Sequence, residues 1–207
     1  MSYQGQVWVP PTNTSFTSFN SPTVQSVGSN IAMYQNSQSG GSDNIVGQYA
    51  VAPSAPYCAI ANITFNPANY VGQASPGTML WGMGFYDGTK LIMLNVRFAE
   101  TETMWYNITE YSNVNTYFNN VIGGGTASGY PMSTIQWMQV RDDGTNISFY
   151  IATDGGQTQP THWVQLYQQA RTSFLSNVNN VFWGLSATNG AVAPSYLTLN
   201  SWQIVSL

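Results

Sequence analysis

The chain has 207 residues, a formal net charge of −4 and only 6% charged residues, against about 25% in an ordinary soluble domain. Its four basic residues, Lys90, Arg97, Arg141 and Arg171, are too few to displace the counterions on which nucleic-acid binding rests. No apolar run approaches the ~18 residues of a membrane span, and the single cysteine, Cys58, cannot close an internal disulfide.

Residues 1 to 55 are rich in Ser, Asn, Gln, Thr and Pro. The start, Met-Ser-Tyr-Gln-Gly-Gln, has neither a positive stretch nor an apolar core and reads as no secretory signal. Gln6–Val9 and Asn30–Tyr34 read as short strands, with Pro10-Pro11 and Ser39-Gly-Gly-Ser42 as turns or extended chain. Trp8, Phe16 and Phe19 suit a segment that docks on something. The expectation is a docking arm over 1–55 and a second unit over 56–207.

From Tyr57 onward short apolar or alternating runs recur between Gly, Asn, Asp and Pro clusters. They read as strands over 57–65, 78–86, 90–98, 104–109, 133–141, 146–153, 163–169, 181–187 and 196–205. Asp87-Gly88 and Asp143-Gly144 tolerate the positive φ of tight hairpins, and Asp154-Gly155-Gly156 is a looser version. Helical signal is thin, one short turn at most. The fold class is all-β, a two-sheet antiparallel sandwich.

Alternation assigns faces. Ile147, Phe149 and Ile151 share a core face, as do Ile92, Leu94, Val96 and Phe98, leaving Asn95 and Arg97 outward. Ile135 and Trp137 oppose Met138 and Val140, which predicts a central strand covered on both sides.

The segments Trp81–Met93, Trp137–Gly155 with Trp163-Val164, and Val181–Ala187 followed by Leu199–Ile204 resemble, in order, the strand and turn series of a concanavalin A-like jelly roll. That sandwich is shared by legume lectins, laminin-G modules and several glycan hydrolases. With Ala55-Pro56-Tyr57 preceding them, the layout is similar to sandwich domains of tailed-phage virion proteins. The resemblance implies a non-enzymatic virion structural protein, a capsid decoration or tail-associated part on the virion surface. Its implied partners are other virion proteins and symmetry mates, with a trimer as first expectation, and a host-surface glycan.

Candidate chemistry is sparse. Glu100 and Glu102 would share a strand face about 7 Å apart, a spacing compatible with a glycosidase pair, but the resembling hydrolases carry a third carboxylate that Thr103-Met104-Trp105 does not supply. They read as a solvated loop end, so no catalytic residue is assigned. His162 has no nucleophile elbow beside it, Gly123-Gly124-Gly125 lacks the Lys-Ser/Thr of a phosphate loop, and Cys58 reads as a buried thiol. Asp142, Asp143, Asn146 and Asp154 offer oxygen ligands to calcium, yet the first three already build a hairpin; no metal and no cofactor is assigned. Sugar contact needs exposed rings with amide and hydroxyl partners. If Met104, Tyr106 and Ile108 face the core, then Trp105, Asn107, Thr109 and Tyr111 line the opposite face as a stacking ladder. The competing readings are a carbohydrate-binding recognition module, a protein interface made by the same rings and, last, a glycan hydrolase.

Overall fold

The computed structural model describes residues 8–35, 43–66, 79–98, 104–122, 135–152, 160, 162–187 and 195–207. Within them the chain forms β1 (Thr17–Phe19), β2 (Thr23–Val27), β3 (Asn30–Gln35), β4 (Val46–Val51), β5 (Tyr57–Asn66), β6 (Met79–Tyr86) and β7 (Leu91–Phe98). There follow β8 (Met104–Asn113), β9 (Thr116–Ile122), β10 (Ile135–Asp142), β11 (Asn146–Ala152), β12 (Trp163–Ala170), β13 (Asn180–Ala187) and β14 (Ser195–Ser206). A 3-10 turn at Pro11–Asn13 is the helical element among the described residues.

The strands make two seven-stranded antiparallel sheets. Sheet A runs β1-β4-β13-β6-β7-β8-β9 and sheet B runs β12-β11-β10-β5-β14-β3-β2. All nine strands expected from Tyr57 onward form, as does Asn30–Tyr34, which is β3. The structure adds β1, β2, β4 and β9. Trp8 and Val9, read as part of a strand, instead cross the outer face of sheet B. There the Val9 N–H donates to Ser201 Oγ (3.1 Å) and the Val9 carbonyl accepts from the Trp202 N–H (3.0 Å). The segment expected as a docking arm therefore supplies β1 to β4 to the two sheets, and what Trp8 docks on is the chain's own Trp137, ring to ring at 5.9 Å. That contact covers the outer side of β10, whose Met138 and Val140 face the core.

The core lies between the sheets. Trp81, Met83, Phe85, Ile92, Leu94 and Val96 come from sheet A, and Phe149, Ile147, Met138 and Trp202 from sheet B. Phe65 of sheet B stacks flat on Trp81 of sheet A, centroids 3.9 Å apart. Trp81, Trp183 and Trp202 are fully buried, and each ring removes enough apolar area from water to favour folding by about 4–6 kcal/mol before entropy is counted. Both Asp-Gly hairpins form as read. Gly88 and Gly144 have φ of 102° and 91°, and the Asp87 and Asp143 N–H groups donate to the carbonyls of Lys90 and Asn146 at 3.0 and 3.1 Å.

A second apolar cluster, Phe19, Ile45, Leu80, Leu91, Met93, Tyr111 and Phe182, lies on the outer face of sheet A. It is covered by the chain itself. The β8–β9 turn folds over this face until Val114 packs on the cluster and its carbonyl accepts from the Ile45 N–H at 2.7 Å, although β13, β6 and β7 separate β4 from β8. Asn20 fastens this strap: its Nδ2 donates to Asn44 Oδ1 (2.8 Å), the Ile45 carbonyl (2.9 Å) and Asn115 Oδ1 (3.4 Å). Asn20 and Asn44 both hold positive φ, a conformation Asn adopts more readily than most residues.

Candidate functional site

Strand β8 alternates as the sequence pattern requires. Tyr106 and Ile108 enter the core, so Trp105, Asn107, Thr109 and Tyr111 stand on the outer face of sheet A. They are not an open stacking ladder. Their exposures are 7%, 1%, 3% and 1%, because the outer face carries its own apolar cluster and the strap that closes over it.

Register places each of the four beside a β7 residue: Arg97 opposite Trp105, Asn95 opposite Asn107, Met93 opposite Thr109 and Leu91 opposite Tyr111. The same cross-strand row that holds Asn107 and Asn95 continues through Gly82, Gly184 and Gly47. A Cβ on Gly82 would strike the Leu94 carbonyl, and one on Gly184 the Val46 carbonyl. Glycine is therefore required there, and the row is a lane of bare backbone ending in two amides.

The polar groups are partly paired with one another. Asn95 Nδ2 donates to Thr109 Oγ1 (3.0 Å) and to the Met93 carbonyl (3.2 Å), and Thr109 Oγ1 donates to Asn120 Oδ1 of β9 (2.9 Å). The Arg97 guanidinium lies 5.6 Å from the Trp105 ring centroid, within cation–π range. Asp43 sits across from Arg97: burial pushes its carboxyl above the usual range and the guanidinium partly offsets this. The Ser186 hydroxyl donates to the Asp43 carbonyl. Burial, with the Asp43 charge adding to it, pushes the Tyr111 phenol far up. Asn95 Oδ1, Asn107 Oδ1 and Trp105 Nε1 are among the buried polar atoms that have no hydrogen-bond partner. Each such group costs about 1–3 kcal/mol.

Sequence reasoning placed Asn95 and Arg97 outward but did not join them to β8, and it missed Asp43 and Asn120. The outward parity of β7 was the available signal; the pairing register that completes the cluster is set by the fold.

The other singled-out residues are placed as follows. Glu100, Glu102, Gly123-Gly124-Gly125 and Asp154 lie outside the described residues. Cys58 is fully buried beside Ile60 and Trp137, and His162 is exposed. Asp142, one of the calcium candidates, is buried and ion-paired: Oδ2 accepts from Arg171 Nε (2.9 Å) and Oδ1 from the Gly144 N–H (2.9 Å). Asp143 Oδ1 accepts from the N–H groups of Thr145 (2.8 Å) and Asn146 (2.7 Å). These bonds engage both Asp142 oxygens and Asp143 Oδ1 in closing the turn; among the described residues no three His, Cys, Asp or Glu side chains come together as a metal site.

No family model matches the chain, and no curated protein matches it in sequence. Solved structures do match in fold. The CBM2 module of an evolved Dit from Lactobacillus casei BL23 phage J-1 is 8% identical, with 95% of this chain and 88% of that one aligned at a TM-score of 0.53. A legume lectin-like domain from Entamoeba histolytica is 9% identical over 93% and 90% of the two chains, TM-score 0.50. A xylan beta-1,4-xylosidase from Bacillus halodurans C-125 is 12% identical, TM-score 0.58; 89% of this chain aligns with 34% of that enzyme. At these identities the likeness is one of fold: the chain is a lectin-like β-sandwich.

Proposed function

We propose that the chain is a non-catalytic sandwich of a tailed-phage particle that contacts carbohydrate through the outer face of sheet A. The observation that carries the reading is the set of three buried, unpartnered polar atoms, Asn95 Oδ1, Asn107 Oδ1 and Trp105 Nε1, on two adjacent cross-strand rows beside a side-chain-free lane. Two acceptors and an indole donor are what a hydroxyl-rich ligand would satisfy, and burial with no partner is costly unless something does so. Binding there requires the β8–β9 strap to lift. Catalysis is not part of the reading, because glycoside hydrolysis uses two facing carboxylates, and the carboxylate near this cluster, Asp43, feels the Arg97 charge and not that of a second carboxylate. The fold shared with a phage module supports the particle setting, with symmetry mates and other virion proteins as partners and a trimer as the first arrangement to test.

The experiment is a binding assay on polysaccharide from bacterial surfaces with wild type and Asn107→Ala. The variant is expected to bind at least about tenfold more weakly while still melting cooperatively, since the amide oxygen it removes has no partner. No binding by wild type would sink the carbohydrate reading, and equal binding by both proteins would sink its placement on the outer face of sheet A. Hydrolysis of these polysaccharides that is lost in Glu102→Gln would replace it with an enzyme. The particle setting is checked by density-gradient purification of virions, in which the protein should travel with intact particles.

A further inference from the structure

The two sheets end in facing edges, β9 in sheet A and β12 in sheet B, and between them is a cleft of about 580 Å³ on the flank of the sandwich, away from the outer face of sheet A. Its rim is aromatic. Phe118 of β9 is 60% exposed and stacks on Phe174, centroids 5.3 Å apart at 28°. Its floor is polar. Glu110 of β8 projects from the core side of sheet A, and burial pushes its carboxyl above the usual range while the neighbouring Gln169 and Asn119 side chains and the Lys90 charge pull it back. Tyr167 donates its hydroxyl proton to Gln169 Oε1 at 3.1 Å.

Lys90 fixes one wall. Its ammonium lies 5.1 Å from the Phe174 ring centroid and donates to the Phe174 carbonyl at 3.1 Å. The Phe174 segment is itself anchored, through Ser176, to Asp87 in the turn that precedes Lys90. The cleft is thus preorganised from three directions: the β6–β7 turn, the β8–β9 hairpin and the chain after β12.

We infer that this flank cleft is a binding site for a neutral pyranoside, one or two sugar rings with the first laid against Phe118. The volume lies within the range of small-molecule pockets, roughly 300–1,000 Å³. A wholly apolar ligand would strip water from Glu110, Lys90 and Gln169 and give nothing back. A charged ligand of either sign meets a like charge, since Glu110 and Lys90 line the same cavity. A neutral ring offers what both parts accept: an apolar face for the aromatic rim and hydroxyls for the carboxylate, amide, phenol and ammonium. The site is separate from the buried amide lane, and the inference rests on the carbohydrate reading above only for its ligand class.

Titration with maltotriose, cellotriose and triacetylchitotriose, read by side-chain amide shifts in heteronuclear NMR, tests it. At least one trisaccharide should shift the Gln169 and Asn119 amides with saturable binding. Phe118→Ala should weaken that binding at least about tenfold without lowering the melting temperature, because the ring is mostly in solvent. Glu110→Gln, which keeps the shape, should weaken it as well. Shifts confined to the Asn95 and Asn107 amides and indifferent to Phe118→Ala would overturn the cleft and leave the outer-face reading standing. If polysaccharide binds but none of the three trisaccharides shifts the cleft amides, the cleft proposal fails alone. If the cleft responds while polysaccharide binding survives Asn107→Ala unchanged, the outer-face reading fails alone.

Discussion

A buried carboxylate with one cationic partner sets the clearest demand on a single residue. Asp142 is wholly buried and its Oδ2 accepts from Arg171, whose side chain is 32% exposed. Removing the guanidinium leaves an uncompensated charge inside the fold, a loss of about 3–5 kcal/mol in comparable cases. Arg171→Leu is therefore expected to lower the urea midpoint sharply at pH 7, whereas Arg141→Leu, at a residue whose Nε has no hydrogen-bond partner, should cost much less. The contrast with Asn107 is instructive. Its amide oxygen has no partner to lose, so truncation there breaks no hydrogen bond through that atom. Its outward direction was legible from the β8 alternation. Its burial was not, because the outer face carries an apolar cluster assembled from Phe19, Ile45, Leu80 and Phe182, residues far apart in sequence.

Among elements, the β6–β7 turn and the strap each make a separate prediction. Burial alone would raise the Asp87 carboxyl, but the N–H groups of Ser176, Thr89 and Lys90 and the Ser176 hydroxyl outweigh it, and it is held below the usual carboxylate range. A depressed folded pKa contributes stability above the unfolded value, about 3.9, and that contribution is lost as pH falls through the folded value. Thermal melts of wild type and Asp87→Asn should differ at pH 7 and converge as pH falls through the depressed folded value; because the group is partly exposed, the gap at neutral pH should be small. For the strap, Asn20→Gly keeps the positive φ of 56° while deleting the bonds to Asn44, Ile45 and Asn115. Amide exchange at Val114 and Asn115 should accelerate with little change at Ile108. If ligand enters beneath the strap, binding at the outer face should tighten, since a larger fraction of molecules is open. The elements that sequence pattern missed share a cause. β1, β2 and β9 are edge strands with mostly exposed residues, so neither face imposes alternation, and β4 carries Gly47 and Gln48 inside an otherwise apolar run.

For the whole molecule, the division at residue 55 expected from texture does not follow the packing. Ile31, Met33 and Val46 enter the main core, Ile45 the outer-face cluster, and β3 pairs with β14 near the other end of the chain. A chain beginning at residue 56 is expected to fail to give a cooperative melt by circular dichroism, whereas one beginning at residue 8 should keep it. Architecture was readable from Tyr57 onward because Asp-Gly turns and period-two apolar runs are local signals. The first fifty residues solvate their exposed faces with Ser, Thr, Gln and Asn, the same composition as loops, and only the completed sheets distinguish the two.

The bare lane on sheet A has a consequence for how this chain can vary over time. Gly82 and Gly184 leave no room for any Cβ, and one on Gly47 would run into the Phe19 ring. Solvent-facing amides and hydroxyls, by contrast, are close to interchangeable. Sequence divergence should then wear away almost everything except this spacing of glycines, and kinship would be detectable as a sparse set of fixed positions within freely drifting text. A saturation-mutagenesis screen for folded protein should find Gly82 and Gly184 intolerant of every replacement while Thr23 and Gln25 accept most.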